Sequence, residues 1–577
     1  MKHIDKKHVI LGILLILIVV VNTYYLRQKS GYFVDEGMTL FLANGRYNGA
    51  VTAKSDSNLY DFLEVFVLKE NLTDTVSNVV NMLKELTSAG NYSEEGTVTW
   101  YDAARNLLQG QRVWMDGQEL FEQLTVTKGE RFQYFQVLIN QAMDVHPPFY
   151  YLLVHTVFSL FPGTYSDMYL FAINMIALLL TCIVLWKMTA FFSDDIFFPI
   201  ITVVVFGLSQ GAVSGTLYFR MYAVFTFWTA LTTYLHCILE KNGYKMNKKI
   251  TVFLVSTVVM GFYTHYYYVI FLFPVFVITV IKMIGNKQKI ELAAYIKKMI
   301  TAGIISLVIW PLSLYHILFS YRGTEAASNL ASHGLLSKIK NYYEILKCAF
   351  FYNSDILFCT IFLIGVLFLI MEIKRSGAIR TAGSLMVEVM LICAFYLLII
   401  SQIAPTQSDR YIMCIFPLIA LMLAAIATKL IKQLINSGKI QKVIFAAMVV
   451  ILVFGSLCLI TPNYLYLGQR DKMLGIKEDS SNLNCLMVAD DDWRGFPEAL
   501  ALSRFRQVIV LGEQELSILE EKKPDNPDCD MVVYLLGGLE QSENLSKICS
   551  LLGYPIGSEE MISSDIEGFN AYLMKGR

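Results

Sequence analysis

Apolar residues occur along this chain in long unbroken runs, not in the short alternations of a soluble fold. About eleven runs reach or approach the roughly 20 residues that a helix needs to cross a bilayer core. They lie near 9–26, 168–190, 196–213, 216–239, 250–264, 267–284, 299–319, 356–373, 384–403, 411–431 and 443–461. A further run from Pro147 to Phe161 is only about 15 residues long. It opens on Pro147-Pro148 and stops at Pro162-Gly163, which suits a helix that lies in the interface or dips part-way.

The charges between the runs predict orientation. Lys2, Lys6 and Lys7 precede the first run and no small-x-small cleavage site follows it, so it reads as an anchor with the N-terminus inside. The inner loops are then Lys187–Asp195, Glu240–Lys249, Lys282–Lys298, Glu372–Arg380 and Lys429–Lys442, and four of these five are rich in Lys and Arg. Counting Pro147–Phe161 as a span would move the later clusters outside.

After Thr461 the pattern changes. Short apolar runs (Leu486–Ala489, Val508–Leu511, Met531–Leu536) alternate with helix-like stretches (497–506 and 543–552), which predicts a small α/β domain. It carries no Gly-rich nucleotide loop. The first outer segment, about 115 residues long, is unusual for a structureless connection. It contains amphipathic stretches at 59–68, 76–86 and 132–143 suited to the membrane surface. The expected division is an N-terminal transmembrane helix (1–30), a first extracytoplasmic loop (31–146), a multi-helix transmembrane domain (147–462) and a C-terminal extracytoplasmic α/β domain (463–577).

Composition agrees with a membrane as solvent: of 577 residues, 55% are hydrophobic, 13% aromatic and only 16% charged. A net charge of −1, with basic residues in separated clusters, argues against a nucleic-acid partner. Seven of the ten cysteines lie in or beside apolar runs, without the CxxC or Cys/His spacing of a zinc site, and read as small buried hydrophobes.

Candidate chemistry collects at the outer ends of the runs. Asp35 and Glu36 follow the first helix, where one carboxylate could act as a general base, although adjacent acids also cap helices. Arg220 with Tyr222, His265 beside Tyr263 and Tyr266, and Arg410 beside Asp409 and Tyr411 sit at other outer ends. Arginine presents a fork of donors suited to phosphate oxygens, and ionisable groups at membrane depth are costly enough to be functional suspects. Taken singly, each arginine could snorkel and His265 could be a core histidine. The tyrosines also suit an aromatic belt.

The ordered set Asp35-Glu36, Asp144-Val145-His146-Pro147-Pro148-Phe149-Tyr150-Tyr151, Phe219-Arg220-Met221-Tyr222, Tyr263-Thr264-His265-Tyr266 and Asp409-Arg410-Tyr411 resembles the bacterial glycosyltransferases related to protein O-mannosyltransferases, within the GT-C superfamily. The resemblance spans roughly residues 1–430 and leaves out the C-terminal domain. It implies a polytopic α-helical membrane protein of GT-C type, in a bacterial plasma membrane, that works on the outer face. The implied donor is a polyprenyl-phosphate-linked sugar, and membrane lipid is a partner. Asp35 becomes the leading catalytic base, with Glu36 beside it. His146, Arg220, His265 and Arg410 are implied near the carrier phosphate, and Asp144 and Tyr222 belong to the same binding set.

The expected reaction is attack of an acceptor hydroxyl on the anomeric carbon with polyprenyl phosphate leaving. The acceptor is open: a cell-surface glycan, a protein or a lipid. A divalent cation beside Asp35 and Glu36 is also open, since two acids alone are poor grounds for one. Two rival readings share the architecture, a transporter or flippase for lipid-linked sugars and an inactive GT-C-like scaffold. The absence of an inverted repeat speaks against the transporter.

Overall fold

The computed structural model describes residues 6–55, 57, 59–88, 105–331, 334–376, 382–466, 480–566 and 568–576. Lys2 and the 377–380 part of the expected Glu372–Arg380 inner loop lie outside the described residues. The chain divides into two compact units. The first comprises Met1–Arg27, Val145–Tyr150 and Leu170–Asn463, and the second Gln28–Asp144, Tyr151–Tyr169 and Tyr464–Arg577.

The first unit is helical. Among the described residues, eight helices are long and apolar enough to cross a membrane, or ten if each of two bent pairs is one span. Each of the eleven or so apolar runs lies mainly on helix, and Lys248–Thr264, at 17 residues, is the shortest uninterrupted one. The run expected as one helix over 196–213 is two, because Leu208-Ser209 interrupts it. The Ser209 hydroxyl accepts the Ala212 N–H at 3.1 Å and so caps a new helix, Gln210–Leu217, bent 51° from Phe197–Gly207. Phe149–Leu160 has 12 residues, about 18 Å at 1.5 Å per residue, too short for a core of roughly 30 Å. The segment after Ser320 forms helices Tyr321–Ala331 and Leu335–Phe351 before Asp355–Ser376 begins.

Polar side chains inside this unit fasten its helix ends. An unsatisfied polar group in apolar surroundings costs several kcal/mol, so each buried one must find a partner. Thr216 Oγ1 donates to Asn22 Oδ1 at 2.6 Å, Asn174 Nδ2 to the Tyr218 carbonyl at 2.7 Å and Thr229 Oγ1 to the Cys414 carbonyl at 2.7 Å. Lys282 pairs with Glu240 and, at 2.7 Å, with Glu388, joining helices Tyr222–Lys241, Tyr268–Gly285 and Ala382–Ile403.

Among the described residues, the second unit is built on a six-stranded sheet. The strands are β1 (Met115–Asp116), β2 (Asn484–Ala489), β3 (Gln507–Gly512), β4 (Met531–Leu536), β5 (Glu559–Ile566) and β6 (Phe569–Met574), in the order β1-β3-β2-β4-β6-β5. β2, β3 and β4 are the three short apolar runs of the tail. β2 pairs in parallel with both β3 and β4, and these strands are apolar after the leading Asn484 and Gln507 because both faces are covered. β1 comes from the long first loop and pairs antiparallel with β3, Met115 opposite Val508. One sheet therefore uses residues from both segments. Of the helix-like stretch 497–506 only Ala499–Leu502 is helical, while 543–552 lies within Gln541–Leu552. The amphipathic stretches of the loop appear as Leu59–Phe62 with a π-turn over Leu63–Val67, Leu72–Ser88 and Tyr134–Met143.

Candidate active site

The polar candidates of the first unit all lie where the chain leaves one helix for the next. His146 precedes helix Phe149–Leu160, and Arg220 lies between Gln210–Leu217 and Tyr222–Lys241. His265 separates Lys248–Thr264 from Tyr268–Gly285, and Arg410 is central in the short turn Asp409–Tyr411. Helix ends leave backbone groups unsatisfied, so these breaks persist only where side chains pack and bond around them.

The structure brings these four residues together. Arg220, 2% exposed, approaches His146 Nε2 through Nη2 at 3.3 Å. A guanidinium can only donate, so His146 Nε2 accepts and its Nδ1 carries the ring proton. Arg410 donates from Nη1 to the Tyr218 hydroxyl at 2.8 Å and from Nη2 to the Tyr411 hydroxyl at 3.1 Å. Tyr218 stacks on Tyr222 at 5.5 Å between centroids, and Tyr222 packs against His265 at 5.4 Å. Phe225 also stacks on the His265 ring, at 5.1 Å between centroids.

The His265 imidazole is held neutral. Burial first, and then the neighbouring His146 ring and the positive charges of Arg220 and Arg410, push its pKa well below the ordinary histidine value. Its Nδ1 accepts the Tyr267 N–H at 3.1 Å, leaving Nε2–H as the donor. Asp409 organises its own turn: one oxygen accepts the Arg410 N–H at 2.8 Å and the other accepts Asn463 Nδ2 at 2.7 Å. Tyr396 fixes the same turn by donating to the Tyr411 carbonyl at 2.9 Å. The result is two guanidiniums and two imidazoles in an aromatic frame, a set of donors suited to an anion.

No family model matches this sequence, and no curated protein does. Among solved structures the chain is similar to ArnT from Cupriavidus metallidurans bound to undecaprenyl phosphate, with a TM-score of 0.46 and 9% identity over 74% of this chain and 87% of that one. It is also similar to the same protein in the apo state, with a TM-score of 0.43 and 10% identity over 87% of this chain and 98% of that one.

Asp35 and Glu36 open helix Val34–Asn44 in the second unit, and the structure separates their circumstances. Asp35 is half-buried. Glu36 is 1% exposed and its two oxygens lie 3.1 and 3.2 Å from Lys29 Nζ. It also accepts the Phe33 N–H at 2.7 Å and thereby caps its own helix. A carboxylate so occupied is poorly disposed to ligate a divalent cation. Among the described residues, no group of three or more His, Cys, Asp or Glu is gathered to hold a metal. Asp144 is half-buried at the C-terminal cap of Tyr134–Met143, its N–H donating to the Asn140 carbonyl at 3.1 Å.

Several contributors escape sequence reasoning. Tyr218, the link from Arg410 to the Tyr222–His265 pair, is indistinguishable in sequence from a belt tyrosine. Lys29, just beyond the first apolar run, has the look of an interfacial anchor, and Asn463 lies beyond the last run. By contrast Tyr263 and Tyr266 serve packing: Tyr263 donates to the Ser306 carbonyl at 2.8 Å, and Tyr266 bonds His316 at 2.9 Å and Trp310 at 3.1 Å.

Proposed function

We propose that this protein is a GT-C-type integral-membrane glycosyltransferase that moves a sugar from a polyprenyl-phosphate carrier to an acceptor hydroxyl on the outer face of the membrane. The observation that carries the reading is the gathering of His146, Arg220, His265 and Arg410 from four separate chain breaks into one cluster, with Arg220 and His265 buried and His146 and Arg410 half-buried. A leaving lipid phosphate is a dianion in the making, and fixed donors in a site of low dielectric stabilise charge that develops there far better than water-exposed ones.

The acceptor oxygen bonds to the anomeric carbon as the bond from that carbon to the phosphate oxygen breaks, and the phosphate keeps the electron pair. Asp35, the half-buried carboxylate of the motif, takes the acceptor proton. Arg220 and Arg410 donate charge-assisted hydrogen bonds to the phosphate. His265, neutral, contributes a hydrogen bond without further positive charge. Glu36, committed to Lys29, supports Asp35 and takes no proton itself.

The test uses the purified full-length protein with radiolabelled polyprenyl-phosphate hexoses and a membrane extract as acceptor. Release of free polyprenyl phosphate by wild type and its loss in Asp35→Asn, with donor binding intact, is the expected result. Equal release by both would remove Asp35 from the chemistry. Donor binding without release in either would favour a carrier or scaffold.

A further inference from the structure

Residues 464–466, the first of the tail, are bound to the segment that carries Asp35. Lys29 Nζ donates to the Tyr464 carbonyl at 2.7 Å, the Ser30 N–H to the Leu465 carbonyl at 2.8 Å and the Ser30 hydroxyl to the Tyr466 carbonyl at 2.6 Å. Three consecutive carbonyls are thus received by two consecutive residues. In an extended chain successive carbonyls point to opposite sides, so an ordinary strand cannot present them this way. Tyr464 and Tyr466 have φ of +68° and +50°, the left-handed region that bulky residues rarely adopt and that persists only where the surroundings enforce it.

The same lysine neutralises Glu36 and lies 5.4 and 5.5 Å from the ring centroids of Tyr32 and Tyr466. Phe33 meets the Tyr464 ring edge-on at 6.5 Å. Breaking one member of a buried ion pair leaves the other charge uncompensated, so Lys29 and Glu36 hold the first turn of helix Val34–Asn44 as a unit.

We propose that residues 464–466 form a strap that sets the position of the Asp35 carboxylate through Lys29 and Glu36, which makes the start of the tail part of the catalytic apparatus. Lys29 and Glu36 are positioning residues, and the kinetic half of the proposal rests on the reading of Asp35 as the base. The strap itself is a structural matter that does not depend on that reading.

The double variant Lys29→Met/Glu36→Gln removes both charges together and avoids an orphaned ion, and Tyr466→Gly relaxes the strap and removes its ring from Lys29 while keeping both charges. Two measurements are made on each in the full chain. The first is the rate of maleimide labelling at Asp35→Cys, followed on the peptide that contains it. We expect labelling to quicken about ten-fold in both backgrounds as the turn loosens. An unchanged labelling rate in both would overturn the strap. The second is turnover with Asp35 intact. Displacement of the base predicts a fall in kcat of about ten-fold or more with donor KM unchanged. Wild-type kcat in both variants would overturn the positioning role, whereas retained turnover in Asp35→Asn would sink the catalytic reading and leave the labelling result to judge the strap.

Discussion

Gly37 offers a sharp perturbation of the Asp35 helix. A Cβ built there would lie 2.2 Å from the Phe496 carbonyl oxygen, 2.6 Å from its carbon and 3.0 Å from the Phe496 Cβ. A tolerable carbon–oxygen approach is about 3.3 Å, so Gly37→Ala demands a shift of about 1 Å between helix Val34–Asn44 and the Phe496 turn. Because the obstacle is mainly backbone, no side-chain rotation relieves it. Overpacking of this kind costs about 1–3 kcal/mol, and alanine regains up to about 1 kcal/mol in helix propensity. The net loss of stability is therefore modest. A base displaced by about 1 Å, in contrast, can lower turnover about 100-fold. Gly12→Ala is the control, since a Cβ there has nothing within 4 Å, and it should melt as wild type or slightly higher with full activity. Thermal unfolding in detergent and polyprenyl-phosphate release, measured on both variants, decide the matter. Wild-type melting and turnover in Gly37→Ala would refute the argument that packing against Phe496 fixes this helix.

Other perturbations probe the cationic cluster. Arg220→Met should remove a charge-assisted bond worth about 1.5–3 kcal/mol to a bound phosphate, lowering kcat/KM about 10- to 150-fold in a steady-state release assay, and an unaltered kcat/KM would exclude Arg220 from the phosphate site. Tyr218→Phe deletes the 2.8 Å bond to Arg410 and should cost about 0.5–1.5 kcal/mol, a loss in kcat/KM of about 2- to 13-fold read in the same assay. His265, depressed below the ordinary value near 6.5, binds fewer protons folded than unfolded. Its contribution to stability is therefore complete above about pH 6.5 and is lost as pH falls beneath it. The melting temperature should drop between pH 7.5 and 5.5, and His265→Gln should flatten that slope.

Much of this architecture was legible because the membrane simplifies the code. Runs of about 20 apolar residues announce helices whatever they pack against, and each expected run lies mainly on helix in the structure. What periodicity did not show were interruptions with local causes, such as the Ser209 cap that divides 196–213. Long-range pairing was equally hidden. β1 is two residues long, too short for any alternation, and its partner Val508 lies nearly 400 positions away. The arginines and histidines stood out by their cost at membrane depth, whereas Tyr218 and Tyr396 did not. A tyrosine at a helix end is ordinary until its hydroxyl is seen to bond Arg410 or the Tyr411 carbonyl.

The pair Asp35-Glu36 shows most clearly where spacing ends and structure begins. Two adjacent acids in sequence invite a shared role. On a helix, however, consecutive side chains point about 100° apart, so neighbours in the chain are not neighbours in environment. Glu36 turns inward to Lys29, where both oxygens lie close to the ammonium and its charge is spent on holding the turn. Asp35 stays half-buried, which is what a general base requires: enough access to meet an acceptor hydroxyl and enough enclosure to be held in place. In the proposed mechanism the buried acid positions the accessible one. On this argument Glu36→Gln, which keeps the shape and removes the charge, should impair turnover chiefly through kcat, whereas Asp35→Asn should abolish it. A Glu36→Gln protein as inactive as Asp35→Asn, yet with the maleimide labelling rate at Asp35→Cys unchanged, would mean that Glu36 enters the chemistry directly and that the division of labour proposed for the pair is wrong.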